Sequence, residues 1–263
     1  LARAAPGGQE YLEAIQNSRI IEELTEDARG FEWVEIELVS DDPIKAQGEM
    51  EEAGYLSYRL LQILTPPKQE VDLISAYFVP GPVIREALTR WAQAGIEVRT
   101  LTNAQEATDV LPVHGAYQKY RDELLRGGVR LFELRSFQEL PKLRDQFGLV
   151  GSQHSSLHAK TFVIDRSEIF VGSYNFDPRS AFLNTEMGFL IDSPALARLV
   201  TNTLDESLDS WAYEVVRTDD GALNWLDRKQ AGQPARLVEE PNTTVFSRAI
   251  VALFGFLPIE WML

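Results

Sequence analysis

The sequence predicts an α/β fold: a mixed β-sheet flanked by helices on both faces. Three observations carry the prediction. Short apolar runs alternate with longer amphipathic segments along most of the chain, the rhythm of strand and helix around one sheet. Glycine or proline closes most of the amphipathic segments, as helix ends require. The chain has 263 residues, of which 44% are hydrophobic and 25% charged, enough apolar material to bury a core without covalent staples.

Taken in order, Gln9 to Ala28 places Leu12, Ile15, Ile20, Ile21 and Leu24 among polar residues and predicts a helix. Phe31 to Val39 alternates apolar and charged residues and predicts a strand, broken by Ser40-Asp41-Asp42-Pro43. Gly48 to Gly54 predicts an acidic loop. Tyr55 to Leu64 predicts a helix stopped by Pro66-Pro67, and Val71 to Phe78 a buried strand. Pro80-Gly81-Pro82 turns the chain into a helix over Val83 to Ala94, closed by Gly95.

Ile96 to Leu101 predicts a strand, Tyr117 to Leu125 a helix ended by Gly127-Gly128, and Val129 to Leu134 a strand. Gln138 to Gly151 predicts a loop of mixed charge. Leu157 to Ile164 and Glu168 to Val171 predict strands joined by Asp165-Arg166-Ser167. A strand over Asn184 to Ile191, a helix over Pro194 to Leu208 and a strand over Trp211 to Arg217 follow. The domain reading is an N-terminal helical and linker segment at 1–40, one α/β domain at 41–217, and a tail at 218–263 carrying an apolar helix.

Composition narrows the function classes. Net charge is −15, whereas nucleic-acid binders present a basic field because phosphate neutralisation dominates their affinity. Nucleic acid is therefore disfavoured, although a local basic pocket is compatible with an acidic surface. Cysteine is absent, so no disulfide framework and no thiolate chemistry exists. No run of 18 apolar residues spans a bilayer, and no signal-peptide pattern follows Leu1.

One stretch carries chemistry: His158-Ala159-Lys160, Asp165, Gly172-Ser173-Tyr174-Asn175, then Asn184 and Glu186. Residues two apart on a strand share a face, so His158 and Lys160 are expected to point the same way. Gly172 is read as letting backbone approach a ligand. Asp177-Pro178 is a cap and first-turn pair, whose helix start would favour an anion, with Arg179 beside it read as a phosphate contact or as a salt-bridge partner of an acidic neighbour.

A phosphodiester under displacement accumulates negative charge, which Lys160, Ser173 and Asn175 can meet with charge and fixed donors. A histidine can attack or move a proton. Glu186 is the candidate carboxylate for orienting that imidazole. Asp165 is carried as a site residue by its place in the pattern, while its position between two strands favours a turn role. Nothing in the set has the make-up of a metal cluster, and no cofactor is expected.

The pattern His158-x-Lys160-x(4)-Asp165-x(6)-Gly172-Ser173-x-Asn175 resembles the signature of the phospholipase D superfamily, with Glu186 at its downstream acidic position. The stretch Val171 to Ala195 is similar to the second motif of bacterial cardiolipin synthases. A weaker resemblance extends from Tyr11 through Asp41-Asp42-Pro43 and Tyr77-Phe78-Val79-Pro80-Gly81 to the aromatic tail.

The resemblance implies two motifs meeting across a pseudo-twofold axis. One histidine forms a phosphohistidine, and the other, here His158, protonates the leaving alcohol and later activates the incoming one. No metal is needed. The implied substrate is a phospholipid such as phosphatidylglycerol, and the implied setting is a bacterial protein, peripheral to the membrane or cytoplasmic.

Only one copy of the motif is present. His114 and His154 lack a lysine two residues on, and His154 is read as a loop residue. The expectation is that the partner motif lies upstream of Leu1, with two paired chains as the alternative, and that this chain alone is inactive or nearly so. The alternatives to phosphatidyl transfer are a phospholipid hydrolase, a nuclease, and a non-catalytic half used for binding or dimerisation. Tyr77 and Phe78 are read as core aromatics or as lining of the groove. The tail over Phe246 to Leu263 is open to two readings: packing on the domain, or lying in a membrane interface.

Overall fold

The computed structural model describes residues 32–48, 51, 54–136, 150, 151, 156–229 and 233–262. The helix expected at 9–28, most of the Gln138 to Gly151 loop, and His154 fall outside them.

The strands are β1 (Glu35–Ser40), β2 (Glu70–Ser75), β3 (Glu97–Asn103), β4 (Arg130–Leu134), β5 (Val150–Gly151), β6 (Ser156–Leu157), β7 (Lys160–Ile164), β8 (Glu168–Gly172), β9 (Met187–Asp192), β10 (Ala212–Arg217), β11 (Leu223–Asp227) and β12 (Ala235–Leu237). The helices are α1 (Leu56–Ile63), α2 (Gly81–Gln93), α3 (Leu111–Arg126), α4 (Pro178–Phe182), α5 (Pro194–Trp211) and α6 (Val245–Phe256). Ten strands form one mixed sheet in the order β1-β9-β8-β7-β2-β3-β4-β10-β11-β12, and β5 pairs with β6. Strands β2, β3 and β4 are parallel, and the strands beside them are antiparallel.

Pleat alternation sorts the core onto two faces. On one face Leu73 and Leu131 pack with Leu88 of α2 and with Tyr117 and Leu124 of α3, while Phe162, Phe170 and Leu190 pack with Leu56 and Leu60 of α1. On the other face Ile74, Leu101 and Phe132 meet Leu204 and Leu208 of α5. Each fully buried Leu or Phe contributes roughly 1.5–3 kcal/mol, and these two layers place helices on both faces, as the sequence predicts.

Three expectations need correction. The strand read from Leu157 to Ile164 is interrupted at His158 and Ala159, because Asn103 takes the Leu157 N–H and carbonyl (2.8 and 3.2 Å) and the Ala159 carbonyl accepts from Ala76 N. The helix read from Tyr117 begins at Leu111. Gly115 concealed its first turns, since glycine disfavours a helix interior; here a Cβ would come within 2.6 Å of the Val251 carbonyl of α6, so glycine permits close helix packing.

The boundaries at 41 and 217 also cut through the sheet. Strand β1 joins at one edge, and β11 and β12 extend the other. The tail is thus part of the fold: Thr244 and Ser247 cap α6 reciprocally, and Val251 is buried.

Candidate active site

The chain leaves β2 to build β3 and β4 on one side, then returns to place β7 on the other. Open α/β sheets bind ligands outside the carboxyl ends of their parallel strands, so this end of the sheet is the candidate crevice. The antiparallel partners deliver their motif residues to the same edge. Lys160 opens β7 opposite Ser75, Gly172 closes β8 opposite Gly188, and Ser173 to Asn175 follow directly.

His158 is exposed at this edge, and Lys160 is half-buried beside it. The Lys160 ammonium donates to the His158 carbonyl at 3.1 Å and lies 5.9 Å from the centre of the Tyr77 ring. Burial holds Lys160 below the ordinary lysine value, against the opposing pull of Glu186, Asp177 and Asp109. Tyr77 hydroxyl donates to Asp109 at 3.0 Å. Burial, reinforced by that carboxylate, raises its phenol to about 12, so Tyr77 stays neutral as a wall of the crevice.

Glu186 is buried and receives the Ser173 hydroxyl, while Met187 N donates to Ser173 Oγ at 3.1 Å. The expectation paired Glu186 with the imidazole; the hydrogen bond its side chain makes among the described residues comes from Ser173. Its backbone is fixed by Asp41. Glu186 N donates to Asp41 Oδ2 at 2.8 Å, and Asp41 N to the Glu186 carbonyl at 2.8 Å.

Asp41 is in turn ion-paired with buried Lys45 at 2.7 Å, and Lys45 also donates to the Ser180 carbonyl at 2.8 Å. This Asp41–Lys45 support was missed as such. Its signal was an acid and a base four apart inside an otherwise plain proline turn.

Asn175 is buried, its N–H donates to Ser180 Oγ at 3.2 Å, and its Oδ1 has no partner among the described residues. A buried, unpaired amide oxygen is costly, which suits a side chain waiting for a ligand.

Three expected roles change, those of Asp165, Gly172 and the first turn of α4. Asp165 sits at the opposite end of β7 from Lys160, in a left-handed turn with φ 50°. Its carboxylate accepts from the backbone N–H groups of Lys68, Gln69 and Glu70 at 2.9, 2.8 and 3.0 Å. It staples the start of β2 and is remote from the crevice, so its place in the pattern reflects folding. Gly172 is demanded by packing, because a Cβ would lie 2.5 Å from the Met187 carbonyl and 2.7 Å from the Phe170 ring. Arg179 is exposed and its Nε donates to Asn184 Oδ1 at 3.2 Å, a bond that does not involve its terminal nitrogens. The first turn of α4 does not await an anion, since Asp177 Oδ1 already accepts from Ser180 N at 2.6 Å.

His114, Glu133 and Glu240 are buried with ligand atoms within 4.8 Å of one another. The Arg121 guanidinium occupies their midst, pairing with Glu240 and with Glu133 at 2.9 Å and meeting His114 Nε2 at 2.8 Å. The trio is an ion-pair cage around arginine rather than a metal centre.

A family described as "Cardiolipin synthase, PLD-like domain" matches residues 60–208. Cardiolipin synthase C of Escherichia coli is 39% identical over 253 residues, covering 96% of this chain and 53% of its own length. Cardiolipin synthase 2 of Bacillus anthracis is 27% identical over 189 residues, covering 72% of this chain and 32% of its own length. The chain thus spans about half or less of these relatives. Among solved structures, the phospholipase D family member Nuc of Salmonella typhimurium aligns with a TM-score of 0.49 and 16% identity, covering 70% of this chain and 99% of its own. The match across the crevice-bearing region places the chain in the cardiolipin synthase family of phospholipase D-like domains, to which it belongs.

Proposed function

We propose that the intact protein transfers a phosphatidyl group between glycerol-bearing lipids, and that this chain supplies one of its two half-sites. The observation that supports the reading is that Lys160, bonded to the His158 carbonyl, lies in the field of Glu186, the carboxylate that receives the Ser173 hydroxyl. In this reading the histidine of the other half attacks phosphorus and forms a phosphohistidine. His158 gives its proton to the departing glycerol oxygen, then takes one from the hydroxyl of the incoming alcohol, whose oxygen displaces the first histidine.

Lys160 counters the charge that builds on the phosphoryl oxygens. Glu186 holds the Ser173 hydroxyl and adds a carboxylate to the field around Lys160, a positioning role. Asp165 takes no part in the chemistry.

The net charge of −15 supports a lipid over a nucleic acid. The other half-site comes from further sequence of the same protein or from a second chain, and the reaction takes place at a membrane surface. Among the described residues no helix is long and apolar enough to cross a membrane.

The test is product analysis of the full-length protein with phosphatidylglycerol. Transfer yields cardiolipin and one glycerol per turnover. Phosphatidic acid as the product would mark a hydrolase, and turnover of DNA alone would overturn the lipid reading.

A further inference from the structure

Helix α6 has two unlike faces. Val251 is fully buried and Gly255 lies against Gly115 of α3. The other side carries Val245, Phe246, Leu253 and Phe256, exposed by 75%, 76%, 61% and 86%. Leu257 and Met262 extend this apolar side past the helix end. The one charged residue of α6, Arg248, is ion-paired with Glu239 at 2.9 Å. A chain with 40 acidic residues thus keeps one helical stripe free of charge. Isolated surface apolars are ordinary, but a contiguous patch of this kind marks an interaction site.

The position of the stripe says what it meets. Ser247, in the first turn of α6, accepts from the Gln105 amide at 3.4 Å, and Gln105 follows the carboxyl end of β3. Beyond the helix, Glu260 accepts from Lys119 and Tyr120, both at 2.7 Å, and the 260–262 turn packs against α4, which follows Asn175. Both ends of the tail are therefore anchored at the sheet edge that holds the crevice. Binding at the boundary between headgroups and acyl chains scales with the apolar area inserted, and this stripe has no charged side chain to desolvate there.

We propose that α6 lies in the membrane interface, with Phe246, Leu253 and Phe256 inserted, and so brings the His158 crevice against the bilayer that contains its substrate. The proposal rests on the phospholipid reading above. It predicts docking by apolar insertion, not by attraction to anionic headgroups, because the stripe bears no free cation.

The probe is flotation of the full-length protein with vesicles of phosphatidylcholine alone and of an equal mixture with phosphatidylglycerol. Both should bind it, with little dependence on salt. Phe246→Ser/Leu253→Ser/Phe256→Ser should lower partitioning at least about tenfold while leaving the circular dichroism spectrum unchanged. The single change Phe256→Glu, at the most exposed of these positions, provides a second variant should the triple fail to fold.

Failure of the wild-type chain to float, binding confined to the anionic vesicles and lost in salt, or unaltered binding by both variants would overturn the proposal. So would a sedimentation velocity result in which the variants break a dimer while vesicle binding is unchanged. Flotation needs no turnover. Its failure would leave phosphatidyl transfer standing, and a catalytic failure would leave the docking standing.

Discussion

The two described histidines occupy opposite environments. His114 is buried against Arg121, which is held by Glu133 and Glu240, and Tyr117 and Trp225 close the cage by donating to Glu133 at 3.1 and 2.8 Å. His158 stands exposed at the sheet edge, touched through its own carbonyl by Lys160. The cage is closed to solvent around its ion pairs, so it specifies packing, although Arg121 Nε and Glu240 Oε2 have no partner among the described residues. The edge leaves His158 open to solvent, so it can meet a ligand. Exposure of the histidine separates the structural from the chemical polar cluster here better than residue type does, since both contain a histidine, a cation and carboxylates.

The largest effect should follow from breaking the cage. Arg121→Ala leaves two buried carboxylates without their cation and should cost about 3–5 kcal/mol of unfolding free energy, read as a fall in urea midpoint. A loss under about 1 kcal/mol would mean that the cage is not the structural cluster described. Lys160→Ala tests the other side. Turnover of the full-length protein should drop about 10²–10³-fold, while stability moves by no more than about 0.5 kcal/mol.

Acid should discriminate the clusters next. Burial pushes the Glu240 carboxyl up, but Arg121 and His114 outweigh it and hold the group below the ordinary glutamate value of 4.5. A carboxylate whose folded value is depressed stabilises the fold above its unfolded value, and that stability is lost as pH falls through 4.5 toward the folded value. The stability that Glu240 contributes should therefore be lost below that pH, against the opposite contribution of Glu133, whose carboxyl is held above 4.5 by burial. Glu240→Gln should remove the first of these contributions from the urea midpoint. The loss should be smaller than for Arg121→Ala, because Glu133 still faces the arginine. Smallest is Asp165→Ala. Losing three backbone acceptor contacts should cost about 1–2 kcal/mol, with turnover of the remaining folded protein unchanged. A large fall in turnover at unchanged stability would return Asp165 to the site.

Much of this was legible in the sequence, for identifiable reasons. The alternation of Val71 to Phe78, Val83 to Ala94 and Ile96 to Leu101 specifies strand and helix locally, and the structure follows it. The spacing of Lys160 and Gly172 was legible as the start of one strand and the end of its neighbour, which brings the segments carrying His158, Ser173 and Asn175 to one end of the sheet. Other features depended on tertiary partners. The break at His158 comes from Asn103 on another strand, and the glycine inside α3 is explained by α6. Asp165 and Gly172 share the spacing of the site but answer to β2 and to Phe170. The Asp41–Lys45 support joins residues far from Glu186 in sequence, so spacing could not connect them.

The central claim is that chemistry resides at the exposed histidine and not in the cage. Its most direct test is the rate of phosphatidylglycerol turnover by the full-length protein carrying His158→Ala, measured at a urea midpoint equal to wild type. The rate should fall at least about 10²–10⁴-fold. Wild-type turnover by that variant would contradict the assignment.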